Sequence, residues 1–230
     1  LKVDVLDHGY VEYVEAWGAG REGSSDFEIG IIEAARQSTQ GNFRGWGEDH
    51  KLLKFLHDNK HATPFEFAGL VIEVQAPIFV FREWHRHRTQ SYNEMSARYA
   101  PLPDLCYVPD HANVGERGRA ASSNKQAVGV AAYDGMAAME WHGELTEFYA
   151  AAEALYQRAL AAGVPKELAR ITMPVGHYSR MRASANLRNW LSFLTLRMAP
   201  NAQWEIRQYA EAVGKIIEHA FPETWSLFRG

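Results

Sequence analysis

The chain has 230 residues, 47% hydrophobic and 23% charged, with a single cysteine and a formal net charge of −4. That balance is ordinary for a globular protein with a real core. It excludes an internal disulfide framework, a multi-thiolate metal site and a global basic field for nucleic acid or anionic membrane, so any bound anion must be met by local arginines.

Lys2 to Asp7 and Tyr10 to Trp17 alternate apolar and polar positions around His8-Gly9, which predicts two strands joined by a tight turn. Ser25 followed by Glu28 is a capping-box pattern opening a helix through Ile29, Ile32 and Ala35. Gly41 to Gly47 reads as a loop, and Asp49 to Asn59 as a second helix carrying Leu52, Leu53 and Leu56. Phe65 to Gln75 is rich in β-branched and aromatic residues and predicts a strand. Pro77 suits the first turn of a helix from Ile78 to His87, where a missing N–H costs nothing.

Ser91 to Tyr99 lacks a clean period and is expected to be an extended loop, and Pro101, Pro103 and Pro109 keep the next stretch irregular. Glu116 to Ala162 is Ala-rich and helical, broken from the next helix by Gly163-Val164-Pro165; Gly129, Gly135 and Gly143 argue against a coiled coil there. His177 to Ala185 predicts a strand, with helices over Asn186 to Met198 and Gln203 to Phe221. Strands gather early and helices dominate later. The expected fold is α+β, one domain over residues 1–230, an N-terminal mainly antiparallel sheet packed by several helices with a helical C-terminal half. No apolar run approaches the ~20 residues of a membrane span. The charged, alternating start is unlike a signal peptide, so the expected location is the reduced cytoplasm.

The chemistry concentrates between Arg82 and Arg98. Four arginines and two histidines stand there against Glu83 and Glu94. A guanidinium fork gives two parallel charge-assisted hydrogen bonds to phosphate, and Arg82 and Arg86 share one helix face. Ser91, Asn93 and Ser96 suit sugar hydroxyls or phosphate oxygens, and Tyr92 and Tyr99 offer flat faces for a ring. A solvated helix end is the bland alternative. Arginines interleaved with Ser, Asn and Tyr favour a nucleotide-phosphate site, and the residues alone go no further.

Arg86 to Tyr99 resembles the signature RHRxxSxNExSxRY of the flavin-dependent thymidylate synthases and matches it at every fixed position. The resemblance continues through His61-Ala62-Thr63-Pro64-Phe65-Glu66, Ala76 to Val80, Val164-Pro165, Ala169-Arg170, Asn186-Leu187-Arg188, Leu196-Arg197 and Ala202 to Ile206, and so spans nearly the whole chain. It implies conversion of dUMP to dTMP, with 5,10-methylenetetrahydrofolate as carbon donor, NADPH as reductant and tightly bound FAD as redox carrier. It further implies a homotetramer with active sites shared between subunits, acting on small molecules and not on nucleic acid or membrane. By resemblance, FAD would meet Ser38, Thr63, Arg86, His87, Arg88, Glu94, Asn186, Leu187, Arg188 and Ser192. The substrate would lie along Glu83, Trp84, His85, Arg86, Glu94, Met95, Ser96, Ala97 and Arg98, with Arg170 on its phosphate side. Arg197 resembles the family's uracil-facing arginine, and a fixed cation beside a developing anion lowers a barrier without reorganisation.

Two positions depart from the family pattern. Glu83 stands where relatives often carry Gln, and a carboxylate cannot donate to phosphate, so pairing with an arginine is the alternative. Ser192 stands where Asn or His is usual. Cys106 has no adjacent cation in sequence to lower its pKa, which favours a structural thiol over a nucleophile. Ser96, an unactivated hydroxyl, is assigned to substrate positioning.

Three competing signals remain. Gly18-Ala19-Gly20-Arg21-Glu22-Gly23 spells GxGxxG, but no βαβ unit follows, so a plain turn outweighs a dinucleotide fingerprint. His57 with His61, and His85 with His87, raise a metal-dependent hydrolase, but no carboxylate stands at a recognised ligand spacing and no metal is expected. An Arg-rich loop could also serve a nucleotide- or RNA-binding module without chemistry; the net negative charge argues against it.

Overall fold

A computed structural model describes residues 1–20, 24–39, 41–110 and 135–230. Its centre is a five-stranded sheet in the order β1-β2-β3-β5-β4 with every pair antiparallel. The strands are β1 (Lys2–Val5), β2 (Gly9–Trp17), β3 (Gly69–Pro77), β4 (Ser91–Glu94) and β5 (Tyr178–Asn186). The helices among the described residues are α1 (Ile29–Arg36), α2 (Trp46–Asp58), α3 (Ile78–Trp84), α4 (Gly135–Ala161), α5 (Lys166–Ala169), α6 (Leu187–Arg197), α7 (Trp204–Ala220) and α8 (Pro222–Arg229). The class is α+β. None of these helices is long and apolar enough to cross a membrane.

Alternation along β3 and β5 sends one set of side chains into the core. Leu70, Ile72, Val74 and Ala76 of β3 and Met181, Ala183 and Ala185 of β5 are buried there against residues of α3, α6 and α7. Trp84 is the hub. Its ring stacks on Phe193 at 4.6 Å and meets Trp190 edge-on at 6.5 Å, contacts worth about 0.5–1.5 kcal/mol each beyond area burial. Its Nε1 donates to the buried Gln90 Oε1 at 3.0 Å.

The turn between β1 and β2 corrects the role given to Gly9. The residue with positive φ is Leu6, at 59°. Gly9 is needed for close approach instead, since a Cβ there would lie 1.9 Å from Tyr209 Oη. Gly18 and Gly20 do take positive φ, 124° and 70°, and Gly18 O accepts from Gly30 N at 2.6 Å. This is a packing turn that leads from β2 to α1, and the sheet is antiparallel throughout, so the described part of the GxGxxG run has no parallel crossover to serve. Residues 21–23 of that run, and the stretch 116–134 of the predicted Ala-rich helix, lie outside the described residues.

Several element boundaries differ from expectation for local reasons. β3 starts at Gly69, because Pro64 initiates a 3-10 turn over Thr63–Phe67 that buries Phe65. α2 starts at Trp46, ahead of Asp49. α3 stops at Trp84; Tyr92 Oη lies 2.7 Å from His87 O and 3.2 Å from Trp84 O, offering these carbonyls a partner outside the helix. Ser91–Glu94 is a short edge strand on β5, unreadable from its polar composition. Pro222 ends α7's run and starts α8, an element not predicted.

The capping box does not form. Glu28 has no side-chain capping bond at its own helix, α1. Its carboxylate is fully buried and accepts from Glu223 N at 2.9 Å and Thr224 N at 2.6 Å, capping α8 instead. Desolvation raises its pKa to about 7, against the opposing pull of those hydrogen bonds.

Candidate active site

α3 delivers the arginine–histidine run as a series of turns after Trp84, and α6 brings Arg197 across to meet it. Arg197 Nε donates to His87 Nε2 at 2.8 Å, Nη1 to Glu83 Oε2 at 2.8 Å and Nη2 to Glu83 O at 2.9 Å. A guanidinium has five N–H donors, so two remain for a ligand. His87 accepts at Nε2 and must therefore be neutral. Burial, then the Arg197 cation, lowers its pKa to about 4, with Glu83 pulling the other way. Phe193 holds the imidazole edge-on at 4.8 Å. The result is a fixed cation, oriented on three sides before any ligand arrives.

A cleft of about 390 Å³ opens on the other side of α3. His85, Glu94, Met95, Ala97 and Arg170, all expected to meet the substrate, line it together with Arg82. Its remaining lining is mostly apolar side chains from α3, the 3-10 turn after α5 and the segment before β5. Ser179, from β5, also lines it and has a buried hydroxyl without a hydrogen-bond partner. Sequence reasoning missed Ser179, since a serine in an alternating strand gives no signal of what its face meets. Ser96 Oγ is 3.4 Å from Arg98 N, a turn contact, and Arg98 pairs with Glu167 at 3.7 Å. Trp84, also expected at the substrate, is instead fully buried in the core, so what it supplies is support for α3.

The residues expected at the flavin are spread over several elements. Ser38 and Thr63 line a groove of about 720 Å³ between α1, α2 and the 3-10 turn, with Lys60 and His61. An adjoining groove of about 610 Å³ shares Ala34, Gln37, Thr63 and Phe67 with it and reaches Gly18 and Gly20. Arg86 and Arg88 are exposed on the turn after α3, and Ser192 is exposed on α6. Asn186 caps α6, its Oδ1 accepting from Asn189 N at 2.9 Å. Leu187 is fully buried and its N–H goes to Ala68 O, so its side chain anchors the helix start and does not face a groove. Arg188 pairs with Glu66 of the Thr63 turn, and Asn189 Nδ2 donates to Thr89 O at 3.1 Å. The first turn of α6 thus ties the Ser38–Thr63 groove to the arginine–histidine run.

Cys106 is half-buried and bridged to His177. Burial, then Asp104, Glu153 and Asp7, raises its thiol pKa to about 12, so it stays protonated and is a poor nucleophile. Among the described residues no group of three or more His, Cys, Asp or Glu side chains could hold a metal ion.

The fold is that of a solved class of α+β enzymes. The chain is similar to the crystal structure of a UMP/dUMP methylase, PolB from Streptomyces cacaoi bound with 5-Br dUMP, with a TM-score of 0.82 and 30% identity over 99% of this chain and 97% of that one. Residues 23–223 match the family model described as thymidylate synthase complementing protein. The flavin-dependent thymidylate synthase of Thermus thermophilus is 37% identical over 228 residues, covering 99% of this chain and 78% of that protein. That of Thermotoga neapolitana is 34% identical, covering 99% and 94%. The chain belongs to the flavin-dependent thymidylate synthase family and is an enzyme of that family.

Proposed function

We propose that this enzyme converts dUMP to dTMP, taking the carbon from 5,10-methylenetetrahydrofolate and the electrons from NADPH, with FAD as its bound redox carrier. The observation that carries this reading is the cleft that gathers Arg82, His85, Glu94, Met95, Ala97 and Arg170, with Arg197, braced by Glu83 and His87, across α3 from it. Arg170 and Arg82 meet the nucleotide phosphate, with Arg86 and Arg98 extending the positive region. Glu94, Met95, Ser96 and Ala97 position the sugar and base. Arg197 stabilises the anion that develops on the uracil ring, where a preoriented cation acts without reorganisation.

FAD, when bound, supplies the two-electron chemistry that side chains lack. The groove at Ser38 and Thr63 suits it in kind: it offers two hydroxyls, the Lys60 ammonium and the His61 imidazole in a volume of about 720 Å³, within the range of ligand pockets. Arg86, His87, Arg88, Glu94, Asn186, Arg188 and Ser192 complete its surroundings, with Leu187 acting through the helix it anchors. Glu83 acts through Arg197 and not on the phosphate. Residues 1–230 work as one domain in the cytoplasm, and four copies assemble with sites shared between subunits.

The test is direct. Purified protein reconstituted with FAD should be yellow, bleach with NADPH, and form dTMP from dUMP and methylenetetrahydrofolate. A protein that takes up no FAD and forms no dTMP would overturn the assignment.

A further inference from the structure

Lys60 stands where a lysine is costly. α2 closes with His61 N donating to Leu56 O at 2.9 Å and Lys60 N to His57 O at 3.0 Å, a helix stop that sets residue 60 at a φ of 56°. Glycine or asparagine is the usual occupant, because most side chains crowd the backbone there. His61 packs edge-on against Phe55 at 5.5 Å, so the turn is held from both sides. A cation at a helix C-terminus gains from the dipole anywhere in the last turn, which gives no reason to choose the one left-handed position. Nor is the ammonium needed as a cap. Asn59 N and Nδ2 both donate to Phe55 O, at 3.1 and 2.9 Å, and Leu56 O and His57 O are already taken. Lys60 forms no ion pair with another described residue. What it does line is the groove of about 720 Å³ that holds Ser38, His61 and Thr63. Among the described residues lining that groove, Lys60 is the only permanent charge and none is a carboxylate.

We propose that Lys60 is a specificity residue of this groove, capturing an anionic group, phosphate or carboxylate, on a cosubstrate that exchanges at each turnover. Lys60 is exposed, so an arriving molecule meets its charge from solvent. Lysine is a compact point charge on a flexible stem, suited to an anion whose orientation is not fixed in advance. The reaction proposed above brings two such anions, the 2′-phosphate of NADPH and the glutamate carboxylates of the folate. The diphosphate of FAD has Arg86, Arg88 and Arg188 in the surroundings assigned to it, and their planar forks match phosphate better. The inference rests on that functional reading and adds to it a residue that selects a cosubstrate.

Steady-state kinetics and calorimetry on the FAD-reconstituted protein test it. Lys60→Gly suits the left-handed backbone, so its melting temperature should not fall. Its KM for NADPH or for methylenetetrahydrofolate should rise roughly tenfold, the loss of one hydrogen bond to a charged group, with kcat and the KM for dUMP nearly unchanged. Lys60→Arg keeps the charge and should stay close to wild type. If the anion is the 2′-phosphate, the KM for NADPH rises and that for NADH does not, and adenosine 2′,5′-bisphosphate loses affinity where AMP does not. If it is the folate carboxylate, the folate KM rises and p-aminobenzoyl-triglutamate loses affinity where p-aminobenzoate does not. Unchanged constants in Lys60→Gly, an equal loss in Lys60→Arg, or weaker FAD binding alone would overturn this role and leave the proposed reaction standing. A wild type that takes up no FAD and forms no dTMP would overturn both.

Discussion

Arg197 and Glu83, 114 positions apart, make a two-point contact, Nη1 on Oε2 at 2.8 Å and Nη2 on the main-chain oxygen at 2.9 Å. The side-chain half depends on charge and the main-chain half does not. Arg197→Ala should abolish dTMP formation while FAD stays bound. Glu83→Gln keeps the main-chain anchor and a neutral acceptor, and should lower kcat less than about tenfold; Glu83→Ala should lower it by about 10–100-fold, the range for a mispositioned catalytic group. Steady-state kinetics with flavin absorbance decides this. Full turnover in Arg197→Ala would contradict its role.

His87 is neutral in the folded protein and carries a pKa of about 4. A depressed histidine leaves the unfolded chain binding more protons in acid. Its share of stability is therefore complete above about pH 6.5 and is lost as pH falls toward 4. Nitrogen-detected NMR of the imidazoles should show the His87 ring staying neutral down to pH 5, with its proton on Nδ1. Replacing Arg197 by Ala should raise that ring's pKa. A His87 ring titrating near 6.5 in the wild type would refute the arrangement.

Glu28 runs the other way. Its folded pKa, about 7, lies above its unfolded value of 4.5, so the stability it contributes is full below 4.5 and falls as pH rises through 7. Glu28→Gln cannot ionise, and its urea midpoint should lack the slope that the wild type shows between those pH values. Glu28→Ala should cost about 1–3 kcal/mol near neutrality, because two N–H groups at the start of α8 lose their acceptor. Equal slopes in wild type and Glu28→Gln would count against this account.

Cys106, with its thiol pKa near 12, should resist iodoacetamide at pH 8. Cys106→Ala should retain turnover within about threefold, the cost of a small packing change away from the chemistry. A hundredfold loss with the fold intact would reopen a nucleophilic role.

What the chain states locally, it states well. β1 and β2 follow from alternation, and β5, α6 and α7 are also expected from the chain, because each needs only its own residues and one buried face. The Arg86 to Tyr99 run reads as a nucleotide-phosphate site from charge type and spacing, which are local properties, and only family resemblance names a chemistry for it. Long-range geometry decided the rest. β4 exists because β5 offers an edge, α8 begins with Glu28 as its cap, and Gly9 is required by Tyr209. Arg197, Glu83 and His87 meet only when α6 returns against α3. No periodicity encodes that meeting: a hydrogen bond across 114 positions depends on where packing sets two helices, and packing is a property of the whole core.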